Sequence, residues 1–454
     1  MNYEQSVAFL LSLGKELASP RQASVQKFNL ENIRVLAEAL GSPHRAIPCA
    51  HVGGTNGKGS TAAMLESILR ASGLSTGLFT SPHLQRINER IAIDGQAISD
   101  EEFAAGFSRV HEKIENLLAS GELAAHPTFF ECVTAMAFAA FAARRVNFAV
   151  YEVGMGGRLD STNIISPEVA IITQIGLDHE DFLGHSIAQI AAEKAGVIKP
   201  GAWVVSAAEN PEARDVIARR AEAVGARLVE IDDAWKIERT SARDGCYSVE
   251  ARESLSGGRW GLEIPLRGRV QIRNALTAAT AGILLGQRGF SVSKEAIERG
   301  VCETRWPGRL ERLAENPAIL LDGAHNPAAA RELAAFLEEH LAGRRIWLIF
   351  GAVRDKSVDE IAGLIFPQVH KAFFTEPQTS RAISAELLAE MTSDLARQYE
   401  VIPDPREALA RALSAAAPED VILVAGSLYL VGYLREHYLR AFPSQLSHTQ
   451  DAKL

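Results

Sequence analysis

The apolar run Ile47 to Val52 breaks into Gly53-Gly54-Thr55-Asn56-Gly57-Lys58-Gly59-Ser60-Thr61 and continues as Ala62-Ala63-Met64-Leu65. Strand, glycine turn and helix in this order constrain the fold more than any other stretch, because such a loop sits at the carboxyl end of a strand in a mainly parallel sheet. Glycines let successive backbone N–H groups turn inward around an anion, the helix start adds its positive end, and Lys58 adds a full charge. Ser60 offers a hydroxyl. The common phosphate-loop spacing is altered in two places: Val52 stands where a first glycine would be, and Gly59 separates the lysine from the hydroxyl.

From Ile47 onward, short β-branched runs alternate with amphipathic stretches, the pattern of a doubly wound α/β sheet. The expected strands are Ile47 to Val52, Thr76 to Phe79, Phe148 to Val153, Val169 to Ile175 and Trp203 to Ser206. Helices are expected over Ser60 to Ala71, Asp100 to Leu118, Phe129 to Ala143 and Ile187 to Val197. Between Trp235 and Val270 the rhythm changes, with turns at Arg243-Asp244-Gly245 and Ser256-Gly257-Gly258, which predicts an antiparallel flank. A helix over Ile272 to Gly286 is expected to close this domain. After Trp306-Pro307-Gly308 the alternation restarts, with strands at Ile319 to Leu321, Ile346 to Phe350, Ala372 to Thr375 and Val421 to Val424. The expected architecture is a large phosphate-loop domain, 1–304, with a mainly parallel sheet, followed by a smaller Rossmann-like α/β domain, 305–454.

With 454 residues the chain is long enough for two cores. Its net charge of −9 opposes nucleic-acid binding, which rests on excess Lys and Arg. Small molecules are the expected partners, and the chain is expected to be a monomer. Cys49, Cys132, Cys246 and Cys302 show no paired spacing, which fits a reducing cytoplasm. Residues Met1 to Leu13 lack a basic leader region, and the longest apolar stretch, Cys132 to Ala143, is too short to span a bilayer. No membrane association is expected.

Ser81, Glu152 and His179 each follow an expected strand. Carboxyl strand ends form the ligand edge of an open parallel sheet, so these three can converge on the phosphate loop. Hydroxyl, carboxylate and imidazole beside phosphates suit Mg²⁺ or Mn²⁺. Taken singly, each has an ordinary explanation as a turn, a strand-end charge or a loop histidine. Lys194 shares a helical stripe with Ile187, Ile190, Ala191 and Ile198, which places its ammonium among apolar neighbours unless the stem snorkels to water.

The segment Gly54-Thr55-Asn56-Gly57-Lys58-Gly59-Ser60 resembles the ATP loop of the bifunctional dihydrofolate synthase/folylpolyglutamate synthase family, relatives of the Mur ligases. The resemblance extends to Tyr151-Glu152-Val153-Gly154-Met155-Gly156-Gly157-Arg158-Leu159-Asp160-Ser161-Thr162-Asn163, to Leu177-Asp178-His179-Glu180-Asp181-Phe182-Leu183-Gly184, to Trp306-Pro307-Gly308-Arg309, and to Leu321-Asp322-Gly323-Ala324-His325-Asn326-Pro327. It implies ATP contacts from Gly54, Thr55, Asn56, Gly57, Lys58, Gly59, Ser60, Asn274, Arg309 and Asp322, with Arg309 reaching the phosphates when the domains close. Mg²⁺ would be held by Ser81, Glu152 and His179, with K⁺ as a further cation. Lys194 matches the lysine that Mur-type ligases carbamylate, and Lys58, Lys194 and His325 carry the implied catalytic roles. Thr128, Phe130, Leu159, Asp160 and Ser161 are implied substrate residues, as is Phe28 in Lys27-Phe28-Asn29-Leu30-Glu31-Asn32, where Asn29 and Asn32 replace the family's glycine and arginine. His325 and Ser427 are implied to hold the incoming amino acid.

The implied activity is ATP-dependent addition of L-glutamate to dihydropteroate, to the glutamate tail of tetrahydrofolates, or to both, through an acyl phosphate. Two alternatives remain: a Mur-type ligase acting on another carboxylic acid, and a regulatory switch that hydrolyses ATP. Mur enzymes carry an N-terminal nucleotide domain for which the roughly fifty residues before the loop leave no room, and a switch has no use for the metal residues or Asp322.

Overall fold

Parallel strands cannot be joined by tight turns, so each return needs a crossover, and helices fill that role on both faces of the first sheet. The computed structural model describes residues 1–14, 29–354 and 356–442. Chain contacts divide it into two units, one of Met1–Arg239, Glu250–Leu262 and Arg273–Glu303, the other of Thr240–Val249, Glu263–Ile272 and Thr304–Leu454.

Among the described residues, the main sheet of the first unit has eight strands: β1 (Cys49–Gly53), β2 (Thr76–Phe79), β3 (Ile91–Ile93), β4 (Gln96–Ala97), β5 (Phe148–Glu152), β6 (Val169–Ile172), β7 (Trp203–Ser206) and β8 (Arg227–Glu230). Their order is β4-β3-β2-β5-β1-β6-β7-β8. From β2 to β8 across the sheet every neighbouring pair is parallel, while β3 and β4 add an antiparallel edge. Strand β1 is central, with Val52 opposite Glu152 of β5 and Gly53 opposite Ile172 of β6. All five residues of β1 and of β5 are buried. One face packs on the helices Tyr3–Ser12, Glu31–Ala39, Asp100–Ser120 and Phe129–Arg144, with Phe103, Phe107, Phe138 and Phe141 fully buried. The other face packs on Ile187–Ala195 and Pro211–Ala223 through Ile190, Val204 and Ile217.

Strand β6 ends at Ile172, three residues short of the expected Ile175, because β1 has by then turned into the glycine loop. The chain keeps only a single bridge, Asn56 to Gln174. The helix expected from Ile272 spans Val270–Gln287, and it does not close the domain, since Lys294–Cys302 follows and lies on Lys58–Ala71. A methyl group on Gly300 would come within 2.4 Å of the Ile68 backbone, so the two helices touch through that glycine.

The antiparallel flank comprises β9 (Trp235–Arg243), β10 (Cys246–Glu253) and β11 (Arg259–Ile264), in the order β11-β10-β9. Asp244 and Gly245 join β9 to β10 at φ of 58° and 76°. Two positive φ values in a two-residue loop twist as a hairpin requires. Strand β11 alternates exposed and buried residues, so one face is covered.

The second unit holds β12 (Glu311–Glu315), β13 (Ala318–Leu321), β14 (Ile346–Phe350), β15 (Lys371–Phe374), β16 (Tyr399–Val401) and β17 (Val421–Ala425), ordered β12-β13-β17-β14-β15-β16. Only β12 is antiparallel to its neighbour. Leu320, Leu348, Phe350, Phe366, Phe374 and Leu423 form its core.

Candidate functional site

Four adjacent parallel strands of the first unit, β2, β5, β1 and β6, end on one edge, and the loop after β1 lies in the middle of that edge. Gly54 has φ +139°, and a Cβ there would lie 1.8 Å from Thr173 Oγ1, so this position requires glycine twice over. Thr55 N–H donates to Gln174 O at 2.7 Å, and Thr55 Oγ1 donates to Gly176 O at 3.0 Å, pinning the loop to the chain after β6. Gly57, at φ +84°, turns the chain into the helix Lys58–Ala71 and faces Asn274 Oδ1, which would lie 2.4 Å from an added Cβ. Lys58 Nζ donates to Thr55 O at 3.0 Å, folding over the loop. Asn56, Gly57, Lys58 and Gly59 are half-buried, and Ser60 is buried.

Lys194 does not snorkel. It is 4% exposed, and its Nζ donates to Gly54 O at 2.7 Å across 140 residues of sequence. Burial first, then the positive charge of Lys58, lower its pKa to about 7, against the smaller pull of Asp178 and Asp160. A neutral amine is therefore accessible near physiological pH, directly behind the loop.

Glu152, the last residue of β5, is buried, and its Oε2 accepts from Ser81 N–H at 3.0 Å, which ties the β2 and β5 strand ends together. His179, in the chain after β6, is itself left-handed at φ 52°, and its backbone N–H donates to Asp178 Oδ1 at 3.0 Å. His179 Nε2 lies 3.9 Å from Asp178 Oδ2. A carboxylate, a hydroxyl and an imidazole carried at or after the ends of β5, β2 and β6 are a donor set that fits Mg²⁺ or Mn²⁺. Asp178, which sequence reasoning passed over, both orients the His179 segment and acts on Lys194; a carboxylate preceding the histidine was the signal available.

The remaining expected residues of the first unit lie near this edge with local work of their own. Thr128 caps the helix Phe129–Arg144, its Oγ1 accepting from Glu131 N–H at 3.2 Å and donating to Glu131 Oε2 at 2.8 Å. The Phe130 ring lies over Gly154, where a Cβ would come within 2.5 Å of it. Asp160 is buried, with Oδ1 accepting from Thr162 N–H and Oδ2 from Met155 N–H; burial raises its pKa. Thr162 Oγ1 also meets His51 Nε2 at 2.8 Å, and burial takes that imidazole down to about 3, so it stays neutral. Leu159 and Ser161 are half-buried beside Asp160. Phe28 lies outside the described residues.

In the second unit, Asp322, His325 and Ser427 follow the neighbouring strands β13 and β17. Asp322 accepts from Leu310 N–H at 3.0 Å and Ala324 N–H at 2.8 Å, and burial raises its pKa against the opposing charge of Arg309. His325 Nδ1 donates to Gly323 O at 2.7 Å, since a carbonyl can only accept. Ser427 caps the helix Leu428–Ala441 by accepting from Tyr429 N–H at 3.2 Å. Arg309 lines a recess with Arg267, Arg305 and Trp306.

Residues 52–282 match the Mur ligase middle domain, and residues 308–428 match the Mur ligase glutamate ligase domain. The dihydrofolate synthase/folylpolyglutamate synthase of Bacillus subtilis is 35% identical over 414 residues, covering 90% of this chain and 95% of that protein. The chain belongs to this dihydrofolate synthase/folylpolyglutamate synthase family. The folylpolyglutamate synthase of Lacticaseibacillus casei is 34% identical, covering 97% of this chain and 99% of its own length. Among solved structures, Mycobacterium tuberculosis folylpolyglutamate synthase complexed with ADP superposes with a TM-score of 0.87 at 32% identity, covering 96% of this chain and 98% of that one. Family membership makes the protein an ATP-dependent ligase with a nucleotide-binding fold. No helix among the described residues is long and apolar enough to cross a membrane.

Proposed function

We propose that the protein joins L-glutamate to dihydropteroate, to the terminal glutamate carboxylate of tetrahydrofolates, or to both, with ATP converted to ADP and phosphate. The names of the relatives in Bacillus subtilis and Lacticaseibacillus casei support the substrates. Among the observations, the one that carries the reading is Lys58 folded over the glycine loop with a second lysine, Lys194, bonded to the loop's own carbonyl from behind. Lys58 holds its positive charge over loop backbone that can face an anion, and a triphosphate is the ligand that such a loop neutralises.

A carboxylate is a poor electrophile until one oxygen becomes part of a leaving group. In the proposed course the acid's carboxylate attacks the γ-phosphoryl group in line, giving an acyl phosphate and ADP; the glutamate amine then attacks the acyl carbon, and phosphate leaves with a former carboxylate oxygen. Lys58 and Arg309 offset the charge on the transferred group. Ser81, Glu152 and His179 would hold Mg²⁺, which when bound polarises the phosphate oxygens. Backbone N–H groups of the loop from Gly54 to Ser60, other than that of Thr55, which is held by Gln174 O, cradle the phosphates, Asn274 and Asp322 contact the nucleotide, and His325 and Ser427 orient glutamate. The amine of Lys194, with its pKa near 7, is suited to add CO₂ and become a carbamate, which turns a cation into an anion beside the metal residues. Thr128, Phe130, Leu159, Asp160 and Ser161 are assigned to the acid, with Phe130 offering a ring for a flat heterocycle. The four cysteines, all free, support a reducing cytosolic setting.

The test is incubation with ATP, Mg²⁺ and glutamate, adding dihydropteroate in one vessel and tetrahydrofolate in another, while following ADP and product mass. Release of ADP that depends on one or both acids, with a product heavier by one glutamyl residue, is expected. Release that depends on neither contradicts the proposal and favours a nucleotide-hydrolysing switch.

A further inference from the structure

Away from the strand ends, the helix Asp100–Ser120 and the connection after it bring three donor side chains together. Among the described residues, His111, Glu115 and His126 have ligating atoms that all lie within 4.8 Å of one another. His111 and Glu115 are one helical turn apart and share a face, with Nδ1 3.9 Å from Oε1. The chain leaves the helix through Gly121, φ 76°, and doubles back so that His126 meets that face.

The tautomer of His126 follows from its surroundings. Its Nδ1 lies 2.7 Å from Pro127 O, a contact only an N–H can make, so in the neutral ring Nε2 presents its lone pair. That Nε2 and His111 Nδ1 are both buried with no hydrogen-bond partner. An imidazole whose far nitrogen donates to a backbone carbonyl has the orientation that metal-binding histidines adopt. Phe9 packs on both rings, at centroid distances of 4.7 and 5.7 Å, and Phe107 stacks on His111 at 5.8 Å. These rings fix the imidazoles and keep water from their nitrogens, while Glu115, 58% exposed, keeps an open side.

We propose that His111, Glu115 and His126 bind a divalent transition cation of the zinc class, with water as a fourth ligand. Two imidazoles and one carboxylate favour such an ion over Mg²⁺, which prefers oxygen alone. Bonds of about 2.1 Å in a tetrahedral site place donors roughly 3.4 Å apart, so the site closes on the ion by rotation of the exposed Glu115 side chain and small shifts of the two imidazoles. The ion would clasp the end of the helix Asp100–Ser120 to the connection two residues before Thr128. This site is independent of the ligase reading.

The experiment uses the full chain, stripped with a chelator and dialysed. Titration with Co²⁺ is expected to give the visible absorption of a tetrahedral site, and calorimetry with Zn²⁺ one equivalent that persists in His179→Ala, which separates it from the residues at the sheet edge. Glu115→Gln, a change at an exposed position, is expected to weaken that Zn²⁺ affinity at least tenfold, and His126→Gln to abolish it. Added Zn²⁺ is expected to raise the melting temperature of the wild type and not of folded His126→Gln. No Zn²⁺ equivalent in His179→Ala, or equal affinity in the wild type and Glu115→Gln, would overturn the site.

Discussion

Replacing Lys194 by Met isolates what burial does to an ammonium. The side chain is 4% exposed, and its pKa falls from 10.5 to about 7. The unfolded chain therefore binds more protons between about pH 7 and 10.5, so wild-type stability rises with pH through that window, and the full penalty applies below it. A gap of about 3.5 at ~1.36 kcal/mol per pKa unit makes that penalty about 5 kcal/mol at pH 6, falling to about 2 kcal/mol at pH 9. Methionine keeps the length and packing of the stem but leaves Gly54 O without its bond from Nζ, a loss of about 1–3 kcal/mol at either pH. Lys194→Met should thus be more stable than the wild type by roughly 2–4 kcal/mol at pH 6, with the advantage shrinking by about 3 kcal/mol at pH 9. A chain of two units need not unfold in one step, so the assay is urea unfolding read by pulsed hydrogen exchange on peptides spanning 187–199, in buffer free of CO₂. An advantage that is the same at both pH values, or a less stable variant at pH 6, would refute the reasoning.

Lys58→Ala should lower kcat by at least about 10³ without unfolding the protein, because charge stabilisation of a transferred phosphoryl group is worth that much; steady-state ADP release with circular dichroism checks both halves. Gly54→Ala puts a methyl group into Thr173 at a backbone angle few side chains adopt, and should cost roughly 3 kcal/mol or more together with nucleotide binding, read by thermal melting and calorimetric titration of ADP. Glu152→Gln should leave ADP binding in chelator unchanged and raise the Mg²⁺ concentration needed for half-maximal rate at least about tenfold, since a neutral amide is a weaker ligand for a hard cation.

Much of the edge was legible because parallel strands read as continuous apolar runs and their carboxyl ends name the ligand side. Ser81, Glu152 and the glycine loop follow from that rule, whereas the apolar stripe around Lys194 left burial and snorkelling both open, and the structure decides for a buried side chain. Its partner was not legible, since Gly54 O lies 140 residues away and the bond exists only once the sheet has formed. Thr128 and Glu131 spell a capping box at the head of a helix, a local signal that accounts for the threonine before any ligand is considered. The two- and three-residue edge strands β3 and β4 and the N-terminal helices were missed because their apolar patterns are short and make sense only against the sheet face they cover. His111 and Glu115 share a face by spacing alone; the arrival of His126 depends on how the chain returns after Gly121.

The account rests on transfer of the γ-phosphoryl group to the acid's own carboxylate. Dihydropteroate or tetrahydrofolate carrying ¹⁸O in both oxygens of the reacting carboxylate, turned over with unlabelled ATP and glutamate, tests this in the phosphate released. One ¹⁸O atom in each inorganic phosphate, read by mass spectrometry or ³¹P isotope shift, is the predicted result; phosphate without the label, formed alongside amide product, would contradict it.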